Sequence, residues 1–177
     1  MKKEILVHLS FLASFLIFVS LLKGWLSFSY WPFWLGAIVG TILPDIDHLL
    51  YVFLLRPQEL TSQRVSHMVG KRDLLGSMNL LAETRAERTK LVFHTATFQL
   101  IFLVLTFFVL TSSGSLLGRG LVLAFSLHLL VDEAVDFTDM GSLSNWFRNF
   151  PASLDLGKQR IYWWASVILL LFFAFFL

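Results

Sequence analysis

An apolar segment from about Trp31 to Leu55 is interrupted near its middle by Leu43-Pro44-Asp45-Ile46-Asp47-His48. The segment is long enough to cross a bilayer. Within it, two carboxylates and an imidazole stand where lipid or packed helix is expected. An ionisable group at membrane depth costs about 2.5–3.5 kcal/mol even on the mildest insertion scale. Three together call for a compensating partner, and a bound cation is the simplest, because it turns carboxylate charge into a ligand field. The plain alternative is a helix break after Pro44, with Asp45 as cap and a histidine buried by packing.

Composition supports a membrane setting. Of 177 residues, 56% are hydrophobic and 15% charged, with 19 Phe and 6 Trp. That balance fits a polytopic, all-α membrane helical bundle forming a single domain. Apolar runs give five spans, at about 5–22, 31–55, 91–111, 116–135 and 161–177. The first reads as an uncleaved span, since no small-x-small site follows it and His8 lies within it. There is no Cys, which excludes disulfides and thiolate metal sites. Basic residues are not interleaved with aromatics on one face, so nothing points to nucleic acid. The sequence names no protein partner.

The second span carries Gly36 and Gly40, a spacing that permits close helix approach. Pro44 removes a helical hydrogen bond and disfavours helix at Leu43, so a new helix can start with Asp45 as its N-cap. Part of 56–90, with Leu74, Leu75, Met78 and Leu81, reads as an interfacial amphipathic helix. Trp146, Phe147 and Phe150 suggest contact with the membrane surface. The last span is apolar apart from Tyr162 and reads as an anchor.

Lysine and arginine set orientation by remaining cytoplasmic. With the N-terminus cytoplasmic and the C-terminus outside, twelve of the fourteen fall on the cytoplasmic side, and only Lys23 and Arg119 outside. An inner-membrane protein is the expectation. In this topology His8, Asp45, Asp47, His48, His94, His128 and Asp132 all fall toward the cytoplasmic side. His128 and Asp132, four apart, share a helical face, as do Asp45 and His48. Asp45 and Asp47 point apart on an ideal helix. Both can ligate only if Pro44 distorts the backbone, and otherwise Asp47 orients a histidine. His67 is assigned to the surface, and Glu133 and Asp136 to the interface.

Four imidazoles with three carboxylates favour Zn, Mn or Fe over Ca or Mg. Seven candidates exceed one tetrahedral zinc and suit one or two ions, an arrangement used to activate water against phosphate esters. Asp45, Asp47 and Asp132 are the candidate catalytic carboxylates. The competing functions are a metal-ion or proton transporter, since intramembrane His and Asp also mark ion paths, and a non-catalytic scaffold with a structural metal.

Gly40-x-x-Leu43-Pro44-Asp45-Ile46-Asp47-His48, an early histidine at His8, the pair His94-Thr95, and His128-x-x-x-Asp132 together resemble the YdjM-type membrane-bound metal-dependent hydrolase family, which is grouped with zinc-dependent phospholipase C and P1 nuclease. The resemblance extends to about Asp136. One departure stands out: Thr89 and Lys90 occupy the positions of the family's His-Arg. The resemblance implies hydrolysis of a phosphoester in a membrane lipid or other lipid-linked or amphiphilic substrate at the cytoplasmic leaflet.

Overall fold

The computed structural model describes residues 2–177, with side chains described over 6–85 and 87–177. The chain is all-helical, with no strand among the described residues. In chain order the helices are α1 (Lys2–Lys23), α2 (Trp31–Ile42), α3 (Ile46–Leu50), α4 (Leu60–Gly70), α5 (Leu74–Glu83), α6 (Ala96–Ser112), α7 (Leu116–Met140) and α8 (Leu156–Phe173). Among the described residues, three helical stretches are long and apolar enough to cross a membrane: Leu6–Lys23, Phe28–Leu55 and Leu156–Phe176. Helix α6 is apolar but has 17 residues, and α7 has 25 but carries Arg119, Asp132, Glu133 and Asp136.

Pro44 does not break the second stretch. It is absorbed by a 3-10 turn at Leu43–Asp45 that runs directly into α3, and a π-turn at Tyr51–Leu55 follows. Asp45 stands at the N-cap position of α3, but its backbone is helical and its side chain makes no cap hydrogen bond. The capping role expected for it is therefore absent. The proline's first-turn position explains the tolerance, because an N–H there has no helical partner to lose. The Arg56 N–H closes the π-turn on the Tyr51 carbonyl at 2.8 Å, and the Tyr51 hydroxyl donates to Glu59 Oε2 at 2.7 Å.

Helix α7 lies at the centre of the bundle and packs against α2 backbone to backbone. A methyl group at Gly36 would sit 2.0 Å from the Leu117 carbonyl oxygen, at Gly40 2.2 Å from that of Leu121, and at Gly120 2.0 Å from that of Phe33. The glycine spacing in α2 thus has its counterpart in α7. Around this seam Leu16, Val19, Phe33, Ala37 and Leu123 form the apolar core.

A second cluster gathers Ala96, Phe125, Leu129, Leu143, Trp146 and Phe147. This corrects the surface role expected for Trp146 and Phe147, which are buried. The reason is polar as well as apolar: the Trp146 indole N–H donates to Asp136 Oδ2 at 2.6 Å, and the Trp146 carbonyl accepts the N–H of Ala96. Helix α8 begins five residues before its expected start. Asp155 caps it, accepting the Lys158 N–H at 2.9 Å, and that bond holds the exposed carboxyl below the usual carboxylate range. The expected amphipathic helix appears as α5, with Leu74, Leu75 and Met78 exposed.

Candidate metal centre

The third span was expected from Leu91, yet α6 starts at Ala96. Residues 92–94 are instead held by Asp47. Its Oδ1 accepts the N–H of Val92 at 3.0 Å, and its Oδ2 accepts those of Phe93 at 2.6 Å and His94 at 3.3 Å. A carboxylate that accepts several N–H groups is stabilised in its charged form, which makes a fully buried Asp47 tolerable. The same Oδ2 lies 3.2 Å from His94 Nδ1. Asp47 therefore orients a histidine from behind, one of the two roles open to it from sequence, and fixes the way His94 Nε2 points.

That nitrogen meets the centre of the cluster. Asp132 Oδ2 is 2.8 Å from His94 Nε2 and 3.2 Å from His128 Nε2, while Oδ1 is 2.9 Å from His8 Nε2. The rings of His8 and His128 have centroids 4.6 Å apart. The elements that bring them together are the start of α1, the stretch before α6, and the C-terminal half of α7. Asp45 completes the group from the edge: its Oδ1 is 3.6 Å from His128 Nε2, and its side chain is 60% exposed. His8, His128 and Asp132 each offer a ligand atom within 4.8 Å of the others.

The orientation of His128 tests whether these residues suit a metal. Both of its ring nitrogens are buried without a hydrogen-bond partner, although Nε2 lies within ion-pair distance of two carboxylates. A buried, unsatisfied imidazole is costly. A lone pair aimed into a group of other donors, rather than at one of them, is the arrangement a cation satisfies. Imidazole and carboxylate are both metal-ligating groups, so the residues could hold a metal ion.

His48 takes a different position. The Arg88 Nε–H donates to its Nδ1 at 3.1 Å. Nδ1 then acts as acceptor, and the neutral ring carries its proton on Nε2. In this arrangement His48 offers the cleft a donor, not a metal lone pair, and it stacks on His94 with centroids 5.0 Å apart. His67 is exposed on α4, as expected.

Two arginines at the centre were not singled out from sequence. Arg85 Nη1 donates to Asp132 Oδ1 at 2.8 Å, and its Nε lies 3.2 Å from Asp136 Oδ1. Arg88 is buried and also donates to Thr84 Oγ1 at 3.0 Å and to the Leu81 carbonyl. Asp136 and Glu133, expected at the interface, are both buried. Arg85 and Trp146 neutralise and hydrogen-bond the first. The second receives the Gln99 amide N–H at 3.2 Å, and Gln99 in turn accepts the Tyr162 hydroxyl. The signal that could have found Arg85 is the surplus of acids on α7: Asp132 and Asp136, one helical turn apart, have no lysine or arginine on their own face.

The cluster lies in a cleft of about 430 Å³. Compared with family models, with curated proteins and with solved structures, the chain matches none.

Proposed function

We propose that the protein is a membrane-embedded, metal-dependent hydrolase acting on a phosphoester of a lipid or amphiphile at the cytoplasmic leaflet. The observation that carries this reading is the convergence of His8, His128 and Asp132 within 4.8 Å, with unsatisfied His128 nitrogens, in an open cleft. Those three residues, with His94 behind Asp132, would hold one ion. A second ion would draw on Asp45. Zinc is the first candidate, with Mn or Fe as alternatives.

Such an ion supplies Lewis-acid polarisation of a phosphoryl oxygen and an acidified water. Asp45, at the exposed edge, is the carboxylate able to take up a proton from that water. Asp47 is a positioning residue that acts through His94. His48 presents an N–H toward the substrate. The likeness to YdjM-type hydrolases points the same way. The Thr89-Lys90 departure keeps a cation in place of the family's arginine but loses the imidazole, and Arg85 and Arg88 add guanidinium groups to the cleft.

The test is metal content and hydrolysis of the reconstituted protein. Zinc loading should reach stoichiometry, His128→Ala and Asp132→Asn should abolish it, and a lipid phosphoester should be cleaved faster than its soluble head-group analogue. Unchanged metal content in both variants would sink the reading. Metal movement across vesicles without hydrolysis would instead favour a transporter, the reading supported by the buried Glu133–Gln99–Tyr162 set beside the cluster.

The lysine and arginine bias supports a cytoplasmic N-terminus and an outside C-terminus in an inner membrane. Ser66 on α4 is exposed, and the chain has no Cys, so a Ser66→Cys variant reports the orientation. It should resist an impermeant thiol reagent in intact cells and react after lysis; reaction in intact cells overturns the assignment.

A further inference from the structure

The cleft has two unlike sides. Its floor carries the His and Asp cluster with Arg85 and Arg88. One wall is apolar and consists of Leu9 on α1 with Ile42, Ile46 and Leu49 on the α2–α3 stretch. These four are exposed by 53%, 59%, 37% and 46%. They belong to two of the stretches long and apolar enough to cross a membrane. The wall of the cleft is thus continuous with the surface that lipid chains would cover. Met78, Leu81 and Ala82 of α5 close the opposite side.

The charges on the floor decide what can lie there. Asp45, Asp132 and the Arg85-bound Asp136 stand against Arg85 and Arg88 with a formal sum of −1, which a divalent ion would bring to +1. Guanidinium forks match phosphate oxygens in geometry as well as charge. A volume of about 430 Å³ is that of a small-ligand pocket. It holds a head group and the beginning of a chain, and the rest must remain outside.

We propose that the cleft binds a membrane lipid with a phosphate head group, admitted sideways between α1 and the α2–α3 stretch. Arg85 and Arg88 receive the phosphate, and Leu9, Ile42, Ile46 and Leu49 receive the adjoining acyl chain. The proposal rests on the hydrolase reading only for the charge that the ion adds. Binding is measurable without turnover.

The experiment loads the full-length protein with zinc in phosphatidylcholine nanodiscs containing phosphatidic acid and measures lipid retained after exchange. Phosphatidic acid should be retained over phosphatidylcholine. Arg85→Gln with Arg88→Gln should lower retention about tenfold or more, the factor expected for one lost charge-assisted hydrogen bond. Arg85 is tied to buried acids, so this variant could fail to fold. Ile42→Trp, at an exposed position on the cleft wall, is the second arm: it should block retention while leaving zinc content and melting temperature unchanged. Equal retention of the two lipids, undiminished retention in Ile42→Trp, or displacement by glycerol phosphate as effective as by phosphatidic acid would overturn the proposal. Selective retention without cleavage of any phosphoester upholds the lipid subsite and removes the hydrolase. Cleavage of a soluble phosphoester without lipid retention does the reverse.

Discussion

The two halves of α7 hold the bundle together by opposite means. From Leu116 to Leu127 the helix meets α2 through glycines and carbonyl oxygens, with no side chain between the backbones at Gly36, Gly40 and Gly120. From His128 to Met140 it carries, besides His128, Asp132, Glu133 and Asp136, all three buried and each engaged by side chains from elsewhere in the chain. The first half is fixed by shape, which depends on nothing outside the chain. The second is fixed by directed polar bonds, and those leave His128 unsatisfied. Rigid packing in one half sets the position of donors in the other, which is how a site is kept within reach of a ligand.

Substitutions should affect the two halves unequally. The largest effect is expected at Gly36. Overpacking a core costs about 1–3 kcal/mol when side chains can yield, but here the obstacle is a carbonyl oxygen 2.0 Å away. Gly36→Val should abolish recovery of monodisperse protein by size-exclusion chromatography. Gly118→Ala, whose nearest neighbour would be 3.5 Å away, should be tolerated. Normal behaviour of Gly36→Val would mean that the seam does not carry the fold.

A smaller, more local effect is expected in the polar half. Asp47→Ala orphans the N–H groups of residues 92–94, at about 1–3 kcal/mol for each that water cannot reach. The protein should still fold, with a lower melting temperature and faster amide hydrogen exchange confined to the segment before α6. Its zinc affinity should fall by about 10–100-fold, the usual effect of losing a group that orients a ligand. An unchanged affinity would show that His94 is held by Asp132 alone.

The helical class and the glycine spacing of α2 were legible because both are local patterns. His8, Asp45, His94, His128 and Asp132, which the lysine and arginine bias sets toward one side of the membrane, do meet in the structure. What was not legible depends on partners far apart in the chain. The late start of α6 follows from a carboxylate 45 residues upstream of Val92. Arg85 looks like any solvated loop cation until Asp132, 47 residues on, is placed beside it. Trp146 reads as an interfacial aromatic because its hydrogen-bond partner, Asp136, reads as an interfacial acid. The two errors share one cause, since each residue hides the other.

The grip of Asp47 on residues 92–94 also has a mechanical meaning. Three successive amides and one imidazole answer to a single side chain, so α3 and the approach to α6 move as one body. A shift of α3 by an ångström carries His94 with it and changes its distance to Asp132 on α7. The spacing across the cluster is therefore calibrated by one residue that faces neither the cleft nor the lipid.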